Sequence, residues 1–180
     1  LTMEELGPTG SGHQGKQTRY SAKNQFVFPQ FYGSVYFQCA AALWEGIENL
    51  NLTTAQGVGL REHLASKGIK SLGDCDPKRP PKASTFEYHI KKVEEVLWGE
   101  RFPIYARWKR DWWERYKKEG VFNSLTGFPI RWSKEGLLAR NDAVNYPVQS
   151  AAFHCLLWVL IETQKWLDVR KMRTLIIGQI

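Results

Sequence analysis

Cysteine is scarce in this chain of 180 residues: three, Cys39, Cys75 and Cys155, widely scattered, odd in number and without a C-x-x-C pair. That excludes a disulfide framework and a thiolate zinc site, and it points to a reducing compartment. The four histidines, His13, His63, His89 and His154, are equally dispersed, which argues against a His/Cys metal cluster. No charged segment followed by an apolar run opens the sequence, and no apolar stretch reaches the length of a membrane span. The Asn51-Leu52-Thr53 triplet has no secretory signal to make it a glycosylation site. There are no internal repeats and no low-complexity tract. These absences lead to the expectation of a cytoplasmic protein with no membrane partner.

What is present is apolar and basic. Hydrophobic residues make up 43% and aromatics 13%, enough for a packed core. Lys and Arg number 25 against 18 Asp and Glu, a formal charge of +7, which suits a polyanionic partner. The first residue is Leu, and Thr174 to Ile180 reads as a strand that stops mid-run, so a fragment of a longer protein is expected.

Local signals place the elements. Residues 1–17 are rich in Gly, Thr and Ser and read as a loop. Gln17 to Lys23 suits a helix, and Pro29 marks a kink or fresh helix start in the aromatic-dense stretch from Phe26 to Trp44. A short helix from Ala55 to Lys67 closes at Gly68, and residues 73–84 form a linker. Ser84 or Thr85 caps a helix with Phe86, Ile90, Val93 and Leu97 on one stripe. Pro103 opens another, with Tyr105, Trp108, Trp112 and Tyr116 at three- and four-residue spacing and Gly120 at its end. Val121–Leu125 and Phe128–Trp132 flank Thr126-Gly127 as a hairpin. Ser150 to Leu167 reads as a helix apolar on most sides, hence buried, and Arg173 to Ile180 as a central strand. The fold class expected is mainly α with a small antiparallel β element.

The segment with the strongest chemistry is Arg19 to Gly33. Arg19 and Lys23 are four apart, about 40° from each other on a helix, and can bracket one polyanion. Phe28 and Tyr32 are again four apart, and Gly33 leaves the backbone free to turn. Cations on one helix face with rings beyond them are what holding a nucleoside triphosphate requires. A second polar run is Asn145-Tyr-Pro-Val-Gln149-Ser150, preceded by Arg140. Amides both donate and accept, so they can touch the minor-groove acceptors present on every base pair without reading sequence.

Arg19, Lys23, Phe28, Tyr32 and Gly33 are similar to the Arg-x-x-x-Lys, aromatic, Tyr-Gly set on the mobile fingers helix of family A DNA polymerases. Asn145, Pro147, Gln149 and Ser150 resemble that family's Asn-x-Pro-x-Gln-[Gly/Ser] run between two palm helices. Glu100-Arg101-Phe102-Pro103 resembles its Tyr-x-x-Tyr-Pro helix opening. The resemblance covers residues 17–44 and 99–180. It implies fingers over 1–120, with an insertion around 45–98, and a partial palm over 121–180.

The resemblance implies that Arg19 and Lys23 contact the dNTP triphosphate, Lys23 also serving as proton donor to the departing pyrophosphate. Phe28 would flank the nucleoside and favour discrimination against dideoxynucleotides, and Tyr32 and Gly33 would form the insertion site. Arg131, Arg140, Asn145, Gln149 and Gln179 would meet primer–template DNA. The activity implied is template-directed transfer of a deoxynucleotide to a primer 3′ hydroxyl with two Mg²⁺, in a replicative, phage-like parent protein. Neither metal-binding aspartate is recognisable: residues 1–18 lack the Asp-Tyr-Ser-x-x-Glu surroundings, and Ile176-Ile-Gly-Gln179-Ile180 stops before the His-Asp pair. The chain alone is therefore expected to be inactive.

Two departures and two rivals stay open. Phe28 is five residues after Lys23, where the family has four, so in a straight helix it points about 140° away. Either a π-type bulge restores the face, or Val27 takes the register in its place. Arg140 likewise precedes Asn145 by five. A non-catalytic nucleic-acid-binding module and a phage-type RNA polymerase are the alternative readings.

Overall fold

The computed structural model describes residues 1–131 and 136–176. The described residues are mainly helical, with a small two-stranded antiparallel sheet, as expected. The chain divides into two compact units, Leu1–Trp108 and Lys109–Ile180.

The first unit opens with α1 (Met3–Leu6), where a loop was expected. Thr2 makes the difference: its hydroxyl accepts from the Glu5 amide at 3.2 Å while the Glu5 carboxylate accepts from the Thr2 amide at 2.8 Å, a capping box. Next come α2 (Gln14–Ala22), a π turn over Lys23–Val27, α3 (Phe28–Phe31) and α4 (Tyr36–Asn49). The helix expected over 55–67 is shorter, α5 (Leu60–Ser66). Residues 53–59 close a tight turn ahead of it, with Thr53 bridged to Gly59. Thr85 caps α6 (Phe86–Val96) by accepting from the Tyr88 amide, as expected. A second π turn, Leu97–Arg101, leads into α7 (Pro103–Glu119). The core of this unit gathers Phe26, Cys39, Ala40, Ile47, Leu52, Leu60, Ile69, Phe86 and Ile90, chiefly between α4 and α6.

In the second unit the hairpin forms as expected. Strand β1 (Val121–Asn123) pairs with β2 (Pro129–Arg131), Phe122 opposite Ile130. Tyr116, Phe122, Leu138 and Ala143 pack together, with the Trp112 indole donating to the Ala143 carbonyl at 2.7 Å and the Leu138 amide to the Tyr116 hydroxyl at 2.9 Å. Helix α8 runs from Arg140 to Val169, ten residues earlier than expected, and passes through Pro147 without a break.

Two expectations fail in this helix. Beyond Gln149, α8 is not buried within this chain: Leu167 is the one buried residue, while Phe153, Trp158, Val159, Ile161 and Trp166 are exposed. Apolar side chains on most sides of a helix require cover, and the described residues do not supply it. The same helix is also long and apolar enough to cross a membrane by length and composition, although no apolar stretch of that length was expected. Interspersed Asn145, Gln149 and His154 hid it from a search for an unbroken run, and core helices of soluble proteins share this profile. Of the expected strand, Arg173–Ile176 has no regular structure, and residues 177–180, Gln179 among them, lie outside the described residues.

Candidate functional site

The helix that carries Arg19 to Gly33 is continuous but not uniform. The Lys23 amide donates to the Arg19 carbonyl, the ordinary four-residue step. The Phe28 amide donates to the Lys23 carbonyl, five residues back. The Tyr32 amide donates to the Phe28 carbonyl at 3.1 Å, four residues back again. Arg19, Lys23, Phe28 and Tyr32 therefore stand on successive turns. The open choice between Phe28 and Val27 resolves in favour of Phe28, whose ring centroid lies 4.9 Å from Lys23 Nζ.

Pro29 supplies a physical reason for the wide turn. It has no amide proton, and in regular geometry its ring would strike the carbonyl four residues back, that of Gln25. Gln25 is held instead by the Ser21 hydroxyl, which donates to its side-chain oxygen at 2.7 Å. Opposite it stands Gly46 of α4, where any Cβ would collide with the Gln25 amide.

Gly33 ends the helix. Its φ of +102° suits glycine, its amide donates to the Gln30 carbonyl at 3.3 Å, and the Ser34 amide donates to the Pro29 carbonyl at 2.8 Å. That pair of bonds is a Schellman stop, so Tyr32 is the residue on which the helix closes. Arg19, Lys23, Phe28 and Tyr32 are all exposed, leaving two cations and two rings open to a ligand.

Behind this face, Gln30 is fully buried. Its side-chain amide donates to Glu94 of α6 and toward Cys39 Sγ of α4 at 3.7 Å, and its oxygen accepts from the Trp98 indole at 2.7 Å. Trp98 belongs to the second π turn. Phe31 packs against Trp98, Phe102 and Tyr105 at centroid distances of 5.3, 5.1 and 5.2 Å, and the Tyr105 hydroxyl donates to the Phe31 carbonyl. Burial raises the Tyr105 phenol above its ordinary value, with nearby Tyr32 adding to the effect. It also drives the Cys39 thiol up to about 11, against the opposing pull of the Gln30 bond. Sequence reasoning missed Gln30, Trp98 and the second π turn. A signal was there: each π turn leads into a Phe-Pro step, Phe28-Pro29 and Phe102-Pro103, and each Phe amide makes the five-residue bond.

The residues expected to meet DNA belong to the second unit. Arg131 ends β2, exposed. The hairpin is tied to α8 through Thr126, hydrogen-bonded to His154, whose ring lies 4.4 Å from that of Phe128. Asn145 and Gln149 sit within α8 rather than between two helices, one turn apart and about 40° from each other. Gln149 is exposed, whereas Asn145 Oδ1 is buried and has no hydrogen-bond partner among the described residues. Arg140, in the first turn of α8, points about 140° from Asn145, because no wide turn absorbs the five-residue step there. The structure thus groups Asn145 with Gln149 and leaves Arg140 on another face.

Among the described residues no group of three or more His, Cys, Asp and Glu side chains is arranged to hold a metal ion. No protein-family model, curated protein or solved structure matches the chain.

Proposed function

We propose that this chain carries the nucleotide-holding helix and the primer–template contacts of a template-directed DNA polymerase of the family A kind. The reading rests on one observation above all: the wide turn at Lys23–Val27 sets Arg19, Lys23, Phe28 and Tyr32 on successive exposed turns. In this role Arg19 and Lys23 bind the triphosphate and Lys23 holds a proton near the leaving pyrophosphate. Phe28 flanks the nucleoside, and Tyr32 closes the site at the helix stop. Gln149 and Asn145 meet the minor groove of the primer–template, with Arg131 and Arg140 on its backbone, and Gln179 lies beyond the described residues.

Nucleotidyl transfer in this class uses two Mg²⁺ ions, which align and activate the reacting oxygens when bound. The described residues offer no carboxylate cluster that fits them, so no step runs through them. What these residues do is bind and orient. Cytoplasmic location, in a bacterium or a phage-infected one, belongs to the same proposal.

Equilibrium binding of a deoxynucleoside triphosphate to the chain tests the reading. Lys23→Ala should weaken binding about tenfold, the scale of one charge-assisted contact. Binding equal in the wild type and in both Arg19→Ala and Lys23→Ala would sink it.

A further inference from the structure

The stretch between the two motifs has no role in the reading above, yet its end grips the nucleotide helix from behind. Gln30 stands on α3 between Phe28 and Tyr32, with its side chain directed away from them into the protein. There it binds Glu94 in the last turns of α6 and Trp98 in the second π turn. Phe31, its neighbour, is enclosed by Trp98, Phe102 and Tyr105. Trp98 also stacks on Tyr105, at a centroid distance of 5.9 Å and an interplanar angle of 22°, which holds the indole plane.

Each π turn is a place where the helix can lose its extra residue and rotate its downstream turns by about 100°. Beyond Lys23–Val27 such a rotation carries Phe28 and Tyr32 off the face of Arg19 and Lys23. Pro29 favours a wide turn locally, but the rotation of the turns beyond it is set by what holds the helix there. A buried amide with defined donors and an acceptor is a directional lock, since its bonds are lost when the helix turns, whereas apolar packing alone tolerates slippage.

We propose that Gln30 is a positioning residue: through Glu94 and Trp98, the 45–98 segment and the π turn at its end set the rotation of α3 and so keep Phe28 and Tyr32 in line with Arg19 and Lys23. This rests on the nucleotide reading. It assigns the segment a function in specificity, because the cations upstream of the bulge recognise phosphate and the rings downstream recognise the nucleoside.

The experiment compares dGTP with inorganic tripolyphosphate as ligands of the whole chain, for wild type, Gln30→Leu and Trp98→Phe. The second variant keeps an aromatic ring, though a smaller one, while removing the N–H donor, and so gives an independent break of the same lock should the first lower the stability of the fold. Both should bind tripolyphosphate as the wild type does and lose about five- to tenfold in dGTP affinity, the range one buried hydrogen bond supports. Hydrogen exchange should quicken at the Phe28 and Tyr32 amides and stay unchanged in α2. A parallel fall for both ligands would mean general loosening and overturn the proposal. Unchanged preference with unchanged exchange would overturn it while leaving the nucleotide reading intact. A wild-type chain with no preference for dGTP over tripolyphosphate overturns the nucleotide reading, and with it the role given to Gln30, whatever the exchange data show.

Discussion

Lys23 Nζ lies 4.9 Å from the centroid of the Phe28 ring, although five residues separate the two and a regular helix would turn them about 140° apart. The contact exists because the Phe28 amide reaches back to the Lys23 carbonyl across a π turn. A cation over a partly exposed ring contributes roughly 0.5–1 kcal/mol, so it biases the lysine toward the ring without immobilising it.

The register of that turn can be tested with two neighbouring residues. Val27 and Phe28 are both partly exposed, so burial does not distinguish them. Geometry does, since Phe28 is the one in contact with Lys23. Phe28→Ala should weaken dNTP binding about tenfold, in the range of a lost base stack, and Val27→Ala should leave it within about twofold. Titration by fluorescence decides between them, and the reverse order would place Val27 at the nucleotide.

Gly33 should be costly to replace for a purely conformational reason. At φ +102° any side chain is strained, and the residue closes the helix through bonds to the Gln30 and Pro29 carbonyls. Gly33→Ala should destabilise by about 1 kcal/mol and Gly33→Asn by less, because Asn tolerates this region better. Urea unfolding midpoints measure the difference.

The first helix should loosen in acid through one carboxylate. The Thr2 amide, bonded to the Glu5 carboxylate, holds its pKa down to about 2 from an ordinary 4.5, and Lys67 and His63 add to the effect. A depressed folded-state pKa contributes stability that is present in full above 4.5 and is lost as the pH falls through 2. Glu5→Gln should therefore flatten the part of the stability curve between these two values. Subtracting the variant's urea midpoints from those of the wild type at each pH isolates this group, and a difference independent of pH would refute the assignment.

How far the sequence alone reached depends on the range of the forces involved. Local signals were readable: Thr85 as a cap, Pro103 as a helix opening, the turn at Thr126-Gly127, and the bulge implied by the Lys23–Phe28 spacing beside Pro29. The capping box of Thr2 and Glu5 was equally local but lay hidden in a Gly-rich stretch. What could not be read were relations across long separations. Gln30 meets Trp98 sixty-eight positions away, and nothing in either neighbourhood announces it. The start of α8 was misplaced because the Asn145-to-Ser150 run was taken to lie between two helices, whereas α8 carries Pro147 seven residues past Arg140. The helix's exposure was missed because apolar composition reports the need for cover and says nothing of what provides it.

The three cysteines turn that last point into a measurement. Cys155 lies on the exposed middle of α8, Cys75 is partly buried with its thiol pushed up by burial, and Cys39 is 1% exposed with its pKa at about 11. Thiolate is the reactive form, so access and ionisation act in the same direction here. At pH 8 a thiol reagent should modify Cys155 within the mixing time, Cys75 more slowly, and Cys39 only as fast as the first unit opens. Peptide mapping of the labelled chain assigns each site. Protection of Cys155 in the dilute chain would show that α8 is covered after all, and protection that appears only at high protein concentration would identify another copy as the cover. The Cys39 rate should rise in Gln30→Leu, because the substitution loosens the helix above it, and this gain in opening outweighs the smaller thiolate fraction left when the amide donating toward the sulfur is lost.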